Sequence, residues 1–271
     1  MTAPERQRTA GGALARRIPV LTFHSLDDRR TPVSFAPARF VRQMLALYQN
    51  GWRTLDPSEL LAGLARGAWP ARSFVLTFDD GCENFREQAL PILLRLGFRA
   101  IIFVVGAYTG RCSDWPGQPA WAPRVPLMDW DTLRRIADQG MLLGAHTLTH
   151  PHLPRQSAGV AAHEIADCGQ LIAERTGHRP QVFAYPYGDS TPALEAIVGA
   201  HYLAGFGTRL AFCTPASRPT RLERIDMYYL QGSAAALARG RMWLAPYLAL
   251  RRGLRRVRDG LAAGEPGTAA P

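Results

Sequence analysis

Short apolar runs that each end in a polar, chemistry-bearing residue alternate with segments of helical period, and this alternation restricts the fold more than any other feature. Ile18 to Phe23 (IPVLTF) leads into His24, and Ser73 to Phe78 (SFVLTF) into Asp79-Asp80-Gly81. Met141 to Ala145 leads into His146, and Val182 to Ala184 into Tyr185-Pro186-Tyr187-Gly188. Ala100 to Val105 reads as a further strand, and strands near 203–207 and 224–229 finish the pattern. Between them, helical spacing predicts helices over 38–49, 58–66, 85–96, 131–139, 159–176 and 192–200. Strand alternating with helix implies a mostly parallel sheet, closed into a barrel or doubly wound. In such architectures the C-terminal strand ends build the active site, and four strand ends here carry candidates.

The 271 residues suffice for one α/β domain with short extensions. We expect a disordered arm over 1–17, a domain over 18–230, a basic amphipathic helical extension over 231–258 and a disordered tail over 259–271. The net charge of +10 comes entirely from Arg, as the chain has no Lys. Residues 239–258 hold seven Arg and no acid, so +10 less these seven leaves +3 for the rest. The charge therefore belongs to one segment and does not make the domain a nucleic-acid binder. Over 243–258, Leu244, Tyr247, Leu248, Leu254 and Val257 fall near one helical stripe opposite arginines. That pattern fits contact with an anionic membrane through 239–258, or a terminal helix packed on the domain with a solvated Arg face. Four Cys without a C-x-x-C pair read as reduced thiols, and no signal peptide is visible, so a cytoplasmic protein, peripheral at the inner membrane face, is expected.

His146 and His150, in HTLTH, are spaced i, i+4, which on a helical turn lets two imidazoles share a metal; two unconnected loop histidines are the alternative. Asp79 and Asp80 are adjacent carboxylates at a strand mouth, where one can ligate a cation and the other stay free as a base; capping the next helix is the alternative. One carboxylate and two histidines leave open positions for water and substrate, the pattern of a catalytic metal site. Zn²⁺ suits these ligand types best, and Co²⁺, Ni²⁺ or Fe²⁺ also suit them.

TFDDG (77–81), HTLTH (146–150) and AYPYG (184–188) resemble, in order and spacing, the first three motifs of the polysaccharide deacetylases, carbohydrate esterase family four or the NodB homology domain. The resemblance covers about residues 18–230 and implies a distorted (β/α) barrel with fewer than eight strands. It implies Asp79 as general base, Asp80, His146 and His150 as metal ligands, a Tyr187 N–H for the oxyanion, and Tyr185 and Tyr187 as walls of the sugar pocket. Two departures stand out. The Arg that usually opens the third motif and orients the base is replaced by Ala184; Arg224, in LERID, is a substitute that would lie at the substrate site, with Asp226 as its partner. The late Leu-x-x-His that supplies the acid is not apparent, and His24 takes that role by its similarity to the branch that deacetylates poly-β-1,6-N-acetylglucosamine.

The function expected is removal of N-acetyl groups from an amino-sugar glycan or glycolipid. The alternatives are an O-acetyl esterase or deformylase acting on a lipid-linked sugar, and a catalytically silent carbohydrate-binding protein. His152 reads as a bystander, and Trp115, Trp121 and Trp130, which flank the Gly/Pro-rich loop over 106–126, as packing residues or sugar platforms. The sequence is silent on oligomeric state.

Overall fold

The computed structural model describes residues 13–231 and 244–263, with 255–263 given by their backbone only. Strands are β1 Leu14–Ala15, β2 Val20–Phe23, β3 Arg53–Thr54, β4 Trp69–Pro70, β5 Ser73–Phe78, β6 Ile101–Val104, β7 Leu142–Ala145, β8 Val182–Ala184, β9 Ala204–Leu210 and β10 Leu222–Asp226. Helices are α1 Pro37–Gln49, α2 Pro57–Arg66, α3 Leu90–Leu96, α4 Trp130–Asp138, α5 Ala158–Thr176, α6 Pro192–His201 and α7 Leu244–Ala263. The seven strands β2, β10, β9, β8, β7, β6 and β5 pair in that order, all parallel, and β2 pairs with β5 to close the ring. The protein is thus a closed (β/α) barrel of fewer than eight strands, which removes the doubly wound alternative. β3 adds to the outside of β5, and β1 pairs antiparallel with β4.

Strand side chains alternate between two environments, as the period of two requires. Val20, Val75, Ile101, Phe103, Val182, Ala184, Phe206 and Leu222 fill the barrel interior. Leu21, Phe23, Leu76, Phe78, Ile102, Val104, Phe183 and Ile225 face outward and pack with the helices. Each fully buried side chain of this size stabilises by roughly 1.5–3 kcal/mol. A seven-strand ring is narrow, and Gly144 shows it: a Cβ there would sit 2.4 Å from the Phe103 ring.

The helices start where local chemistry supplies caps. Asp56, Asp129, Ser157 and Thr191 each accept from the backbone N–H three residues on. The helix expected over 85–96 is regular only from Leu90; Phe85–Ala89 is a widened π turn. Pro91 lacks the N–H that would close a regular turn there.

The flanks differ from expectation. Leu14–Ala15, inside the supposedly irregular arm, is paired; residues 1–12 lie outside those described. The C-terminal helix runs to Ala263, into the segment expected to be a tail. It tolerates Pro246 because the third residue of a helix needs no intrahelical N–H bond. Leu244 and Leu248 are buried against the barrel, and the Tyr247 hydroxyl donates to Tyr229 O at 2.8 Å. Leu250 and Leu254 are exposed. The apolar residues of the helix are therefore divided between a docked face and an exposed one. Among the described residues no helix is long and apolar enough to cross a membrane.

Candidate metal centre and catalytic site

Inward parity continues past the end of β5 and brings Asp79 to the axis of the barrel mouth, its N–H held by Phe23 O at 2.9 Å. An extended chain would send Asp80 to the opposite side. Instead Asp80 has φ +70, left-handed and uncommon outside glycine, and its carboxylate turns to the same mouth. His146 continues the inward parity of β7 through Gly144, with its N–H on Val104 O at 3.0 Å.

His146 and His150 do not lie on a helix, contrary to the expectation from their spacing. Residues 146–150 form an irregular loop in which Thr147 (φ 66) and His150 (φ 59) are left-handed. Glu164, buried on α5, holds this loop. Its Oε2 accepts from Leu148 N (2.7 Å) and Thr149 N (2.9 Å), and its Oε1 accepts from Thr149 Oγ1 (2.6 Å). The His150 N–H in turn donates to Thr147 Oγ1 at 2.9 Å. Glu164 escaped the sequence reading, yet a signal existed: it shares the buried face of α5 with Ala161, Ile165 and Cys168, where a charged residue requires partners. Glu164→Gln, which sets an amide N–H against two loop N–H donors or forfeits one oxygen, is expected to weaken metal affinity by about 10–100-fold. Metal titration beside a melting curve checks this; unchanged affinity would remove Glu164 from the support of the site.

Asp80 Oδ1, His146 Nε2 and His150 Nε2 converge. The carboxylate oxygen lies 3.6 Å from each ring nitrogen, and all three atoms lie within 4.8 Å of one another. His146 Nδ1 lies 2.7 Å from Ala184 O, which selects the tautomer with its Nε2 lone pair aimed at Asp80. Asp80 Oδ1 is buried and accepts no hydrogen bond from the protein. A tetrahedral ion with bonds near 2.1 Å spaces its ligands about 3.4 Å apart. The donor set fits a single divalent cation. Burial lowers the pKa of both histidines, and for His150 the neighbouring His146 adds to it, so both imidazoles are neutral as metal ligands must be.

Asp79 is held differently. Arg224, inward on β10 and buried, grips it through two bonds, Nη1 to Oδ1 (2.6 Å) and Nη2 to Oδ2 (2.8 Å), while its Nε donates to Gly207 O at 2.8 Å. Burial pushes the Asp79 carboxyl up, but the Arg224 guanidinium beside it outweighs this and holds the group well below the usual carboxylate range. Arg224 therefore fixes the orientation of the Asp79 carboxylate, and it lines the depression that His24, Asp79 and Tyr187 share with Asp226 and Tyr228. Asp226 Oδ1 accepts from Tyr228 N at 2.9 Å. Ala184 and Arg224 face the same barrel interior, so a guanidinium absent from β8 is supplied from β10.

His24, at the end of β2, places Nε2 3.8 Å from Asp79 Oδ2 and lines the cavity above the site. Tyr185 lines the floor of that cavity, as expected, though most of its ring lies in the outer layer. Ala184 faces inward, so Tyr185 faces outward, packs on Phe183 at 5.2 Å and donates its hydroxyl to Thr220 O at 2.8 Å. Tyr187, with φ 59, also reaches the cavity, between His150 (4.7 Å) and His152, whose ring stacks on it at 3.9 Å while its Nδ1 meets Asp189 at 2.9 Å. His152 thus braces Tyr187. The 106–126 loop covers the other side: Trp115 is buried with its ring 4.3 Å from His150, and Trp121 is half exposed. The enclosed space is about 140 Å³.

Residues 66–204, just over half of the chain, match the sequence profile of the polysaccharide deacetylases. YxkH of Bacillus subtilis is 25% identical over 173 residues, 64% of this chain and 57% of that protein. A peptidoglycan-N-acetylglucosamine deacetylase of Bacillus cereus is 24% identical over 159 residues, 58% of this chain and 52% of its own length. The chain thus spans little more than half the length of these curated relatives. Among solved structures, IcaB from Ammonifex degensii superposes with a TM-score of 0.71 at 24% identity, covering 83% of this chain and 97% of that one. Streptococcus pyogenes deacetylase PplD, in complex with acetate, gives 0.68 at 24%, covering 78% and 92%. These likenesses bear on the fold.

Proposed function

The chain belongs to the polysaccharide deacetylase family, and from that premise we propose that it hydrolyses N-acetyl groups on an amino-sugar glycan or glycolipid with the help of one divalent cation. The observation that carries the reading is the pairing, at one barrel mouth, of a three-residue ligand set (Asp80, His146, His150) with a separate carboxylate, Asp79, locked by Arg224. Asp80, His146 and His150 would hold the ion, which when bound polarises the acetyl carbonyl and acidifies water. Zn²⁺ is the ion we favour from two imidazoles and one carboxylate, with Co²⁺, Ni²⁺ and Fe²⁺ as chemically suited substitutes.

The protein's own groups supply the rest. Asp79, ionised at every working pH and fixed by two bonds, takes the proton from the attacking water. The Tyr187 N–H, turned by the left-handed backbone and backed by His152, stabilises the oxyanion. His24, beside the base, gives a proton to the departing amine. Trp115, Val125 and Pro123 line a small apolar space suited to an acetyl methyl.

Acetate release from β-1,4- and β-1,6-linked N-acetylglucosamine oligomers and lipid-linked N-acetyl sugars, with and without added Zn²⁺ or Co²⁺, tests the proposal. Release that stops with a chelator and returns with metal is expected; none from any substrate would refute it. The same assay with O-acetyl and N-formyl sugars separates the esterase and deformylase alternatives.

We further propose peripheral contact with an anionic membrane through the C-terminal basic segment read over 239–258, of which 239–243 lie outside the described residues. Leu250 and Leu254 are exposed on α7 beside Arg251, a pairing suited to an anionic leaflet such as the cytoplasmic one. Flotation with phosphatidylserine-containing liposomes should recover the full chain and lose a chain cut after residue 231; equal recovery of both would dismiss the contact.

A further inference from the structure

β2 leaves its ladders just before His24. Its last paired residues are Thr22, with Asp226 on β10, and Phe23, with Phe78 on β5. The Asp79 N–H closes the β5 side on Phe23 O at 2.9 Å. His24 therefore stands past the end of both ladders, at the start of a segment that folds back on itself. There the Ser25 N–H donates to Val33 O at 3.0 Å, and the Phe35 N–H donates to Ser25 O at 2.9 Å. Strand pairing alone does not set where this segment, and with it His24, sits over Asp79.

Asn84 ties the segment down. It lies three residues past the Asp79-Asp80-Gly81 turn and opens the widened turn Phe85–Ala89. Its own setting is firm. Met128 N–H donates to Gly81 O and Glu83 N–H to Pro126 O, both at 2.9 Å, and the buried Phe85 ring packs on Phe78 at 4.8 Å. The Asn84 amide grips one residue twice, as a neighbouring strand would: Oδ1 accepts from Leu26 N at 3.2 Å, and Nδ2 donates to Leu26 O at 3.2 Å. A backbone N–H only donates and a carbonyl only accepts, so this pair decides which end of the amide is which. Nδ2 also donates to Ser25 Oγ at 2.7 Å, and that hydroxyl donates in turn to Asp27 Oδ2 at 2.5 Å. Ser25 and Leu26 are buried, so removing the amide leaves polar groups that water does not readily reach.

We propose that Asn84 is a positioning residue for His24. It locks the segment that follows β2 to the turn that carries Asp79 and Asp80, and so fixes the separation of the two groups that move protons. His24 Nε2 and Asp79 Oδ2 are 3.8 Å apart. The inference rests on the hydrolase reading above and names the side chain that couples the proton donor to the base. A proton passes efficiently only across a hydrogen-bond distance, and a displacement of about 1 Å can cost about 100-fold.

The test is a double-variant cycle in the metal-loaded protein, read on an N-acetylglucosamine oligomer and on an aryl acetate. Asn84→Ala is expected to lower kcat on the amide about 10–100-fold, with KM and metal content near their wild-type values. Its pattern across the two substrates should be a weaker copy of that of His24→Ala. Added to His24→Ala, the Asn84→Ala change should cost less than about twofold, because its effect passes through a side chain no longer present. Losses that multiply in the double variant overturn the proposal and make Asn84 a general support of the fold. So does a substrate pattern unlike that of His24→Ala, or a wild-type amide rate in Asn84→Ala. Asn84→Asp keeps the shape and the acceptor for Leu26 N but has no donor for Leu26 O or Ser25; it should behave alike, and it replaces the alanine variant if that one does not fold. If the wild type turns over neither substrate, the hydrolase reading fails, and hydrogen exchange decides the clamp separately. The Leu26 N–H should then exchange about tenfold faster in Asn84→Ala, while the Leu148 and Thr149 N–H groups on Glu164 keep their rates. Unchanged exchange at Leu26 rejects the proposal.

Discussion

Asp79→Asn is expected to lower kcat on an N-acetyl sugar by about 10²–10⁴-fold while metal content stays at the wild-type level. The reason is the division of labour between neighbouring carboxylates. Asp80 faces His146 and His150, and Asp79 faces Arg224 and His24. An amide at 79 still accepts a hydrogen bond from Arg224 but cannot take a proton from water. Elemental analysis beside turnover separates the two roles: loss of metal with loss of rate would make Asp79 a ligand, and retained rate would deny it the role of base. His24→Ala gives the complementary result. An amine leaves poorly without a proton and an aryl oxide leaves well, so the amide rate should fall far more than the rate on an aryl acetate. Equal losses would show that His24 positions or binds and does not protonate.

Arg224→Met is expected to cost about 3–5 kcal/mol of stability near neutral pH, because it strands a buried carboxylate without its partner. The pH dependence follows from the sign of the Asp79 shift. With Arg224 present the folded pKa lies below the ordinary carboxylate value, so the pair stabilises fully above that value, and the contribution is lost only as pH falls toward the lower, folded one. Without Arg224, burial is the dominant influence and raises the pKa. The variant should therefore regain stability as the medium is acidified through the raised pKa, and the acid limb of its activity should move to higher pH. The double variant Asp79→Asn/Arg224→Met should be less impaired in stability than the two single losses added together, since neither charge is then left alone. Denaturant melts across pH test this; a wild-type melting profile for Arg224→Met would show that the buried pair contributes little.

Much of the molecule was legible in one dimension. The strands at 73–78 and 182–184 end where the apolar pattern ends, and α5 begins beside Ser157 and stops at a left-handed Gly177. Those boundaries depend on periodicity and capping among residues a few positions apart. The candidate ligands were equally local: TFDDG and HTLTH bring chemistry to the ends of strands whatever the number of strands in the ring.

What the sequence alone determined is thus the set of strands and helices, the strand ends that carry reactive groups, and the residue types available there. Tertiary structure decided which of these groups meet. Arg224 and Asp79 are 145 residues apart and join only because β10 pairs with β2 and β2 with β5, closing the ring. Tyr185 borders the pocket yet packs its ring in the outer layer, because the inward parity of β8 falls on Ala184. The imidazoles of His146 and His150 converge without a helix, through left-handed turns clamped by a glutamate from α5. In each case local patterning left two or more directions open to a side chain, and the choice between them was made by the pairing of distant strands and the exclusion of water from the space they enclose.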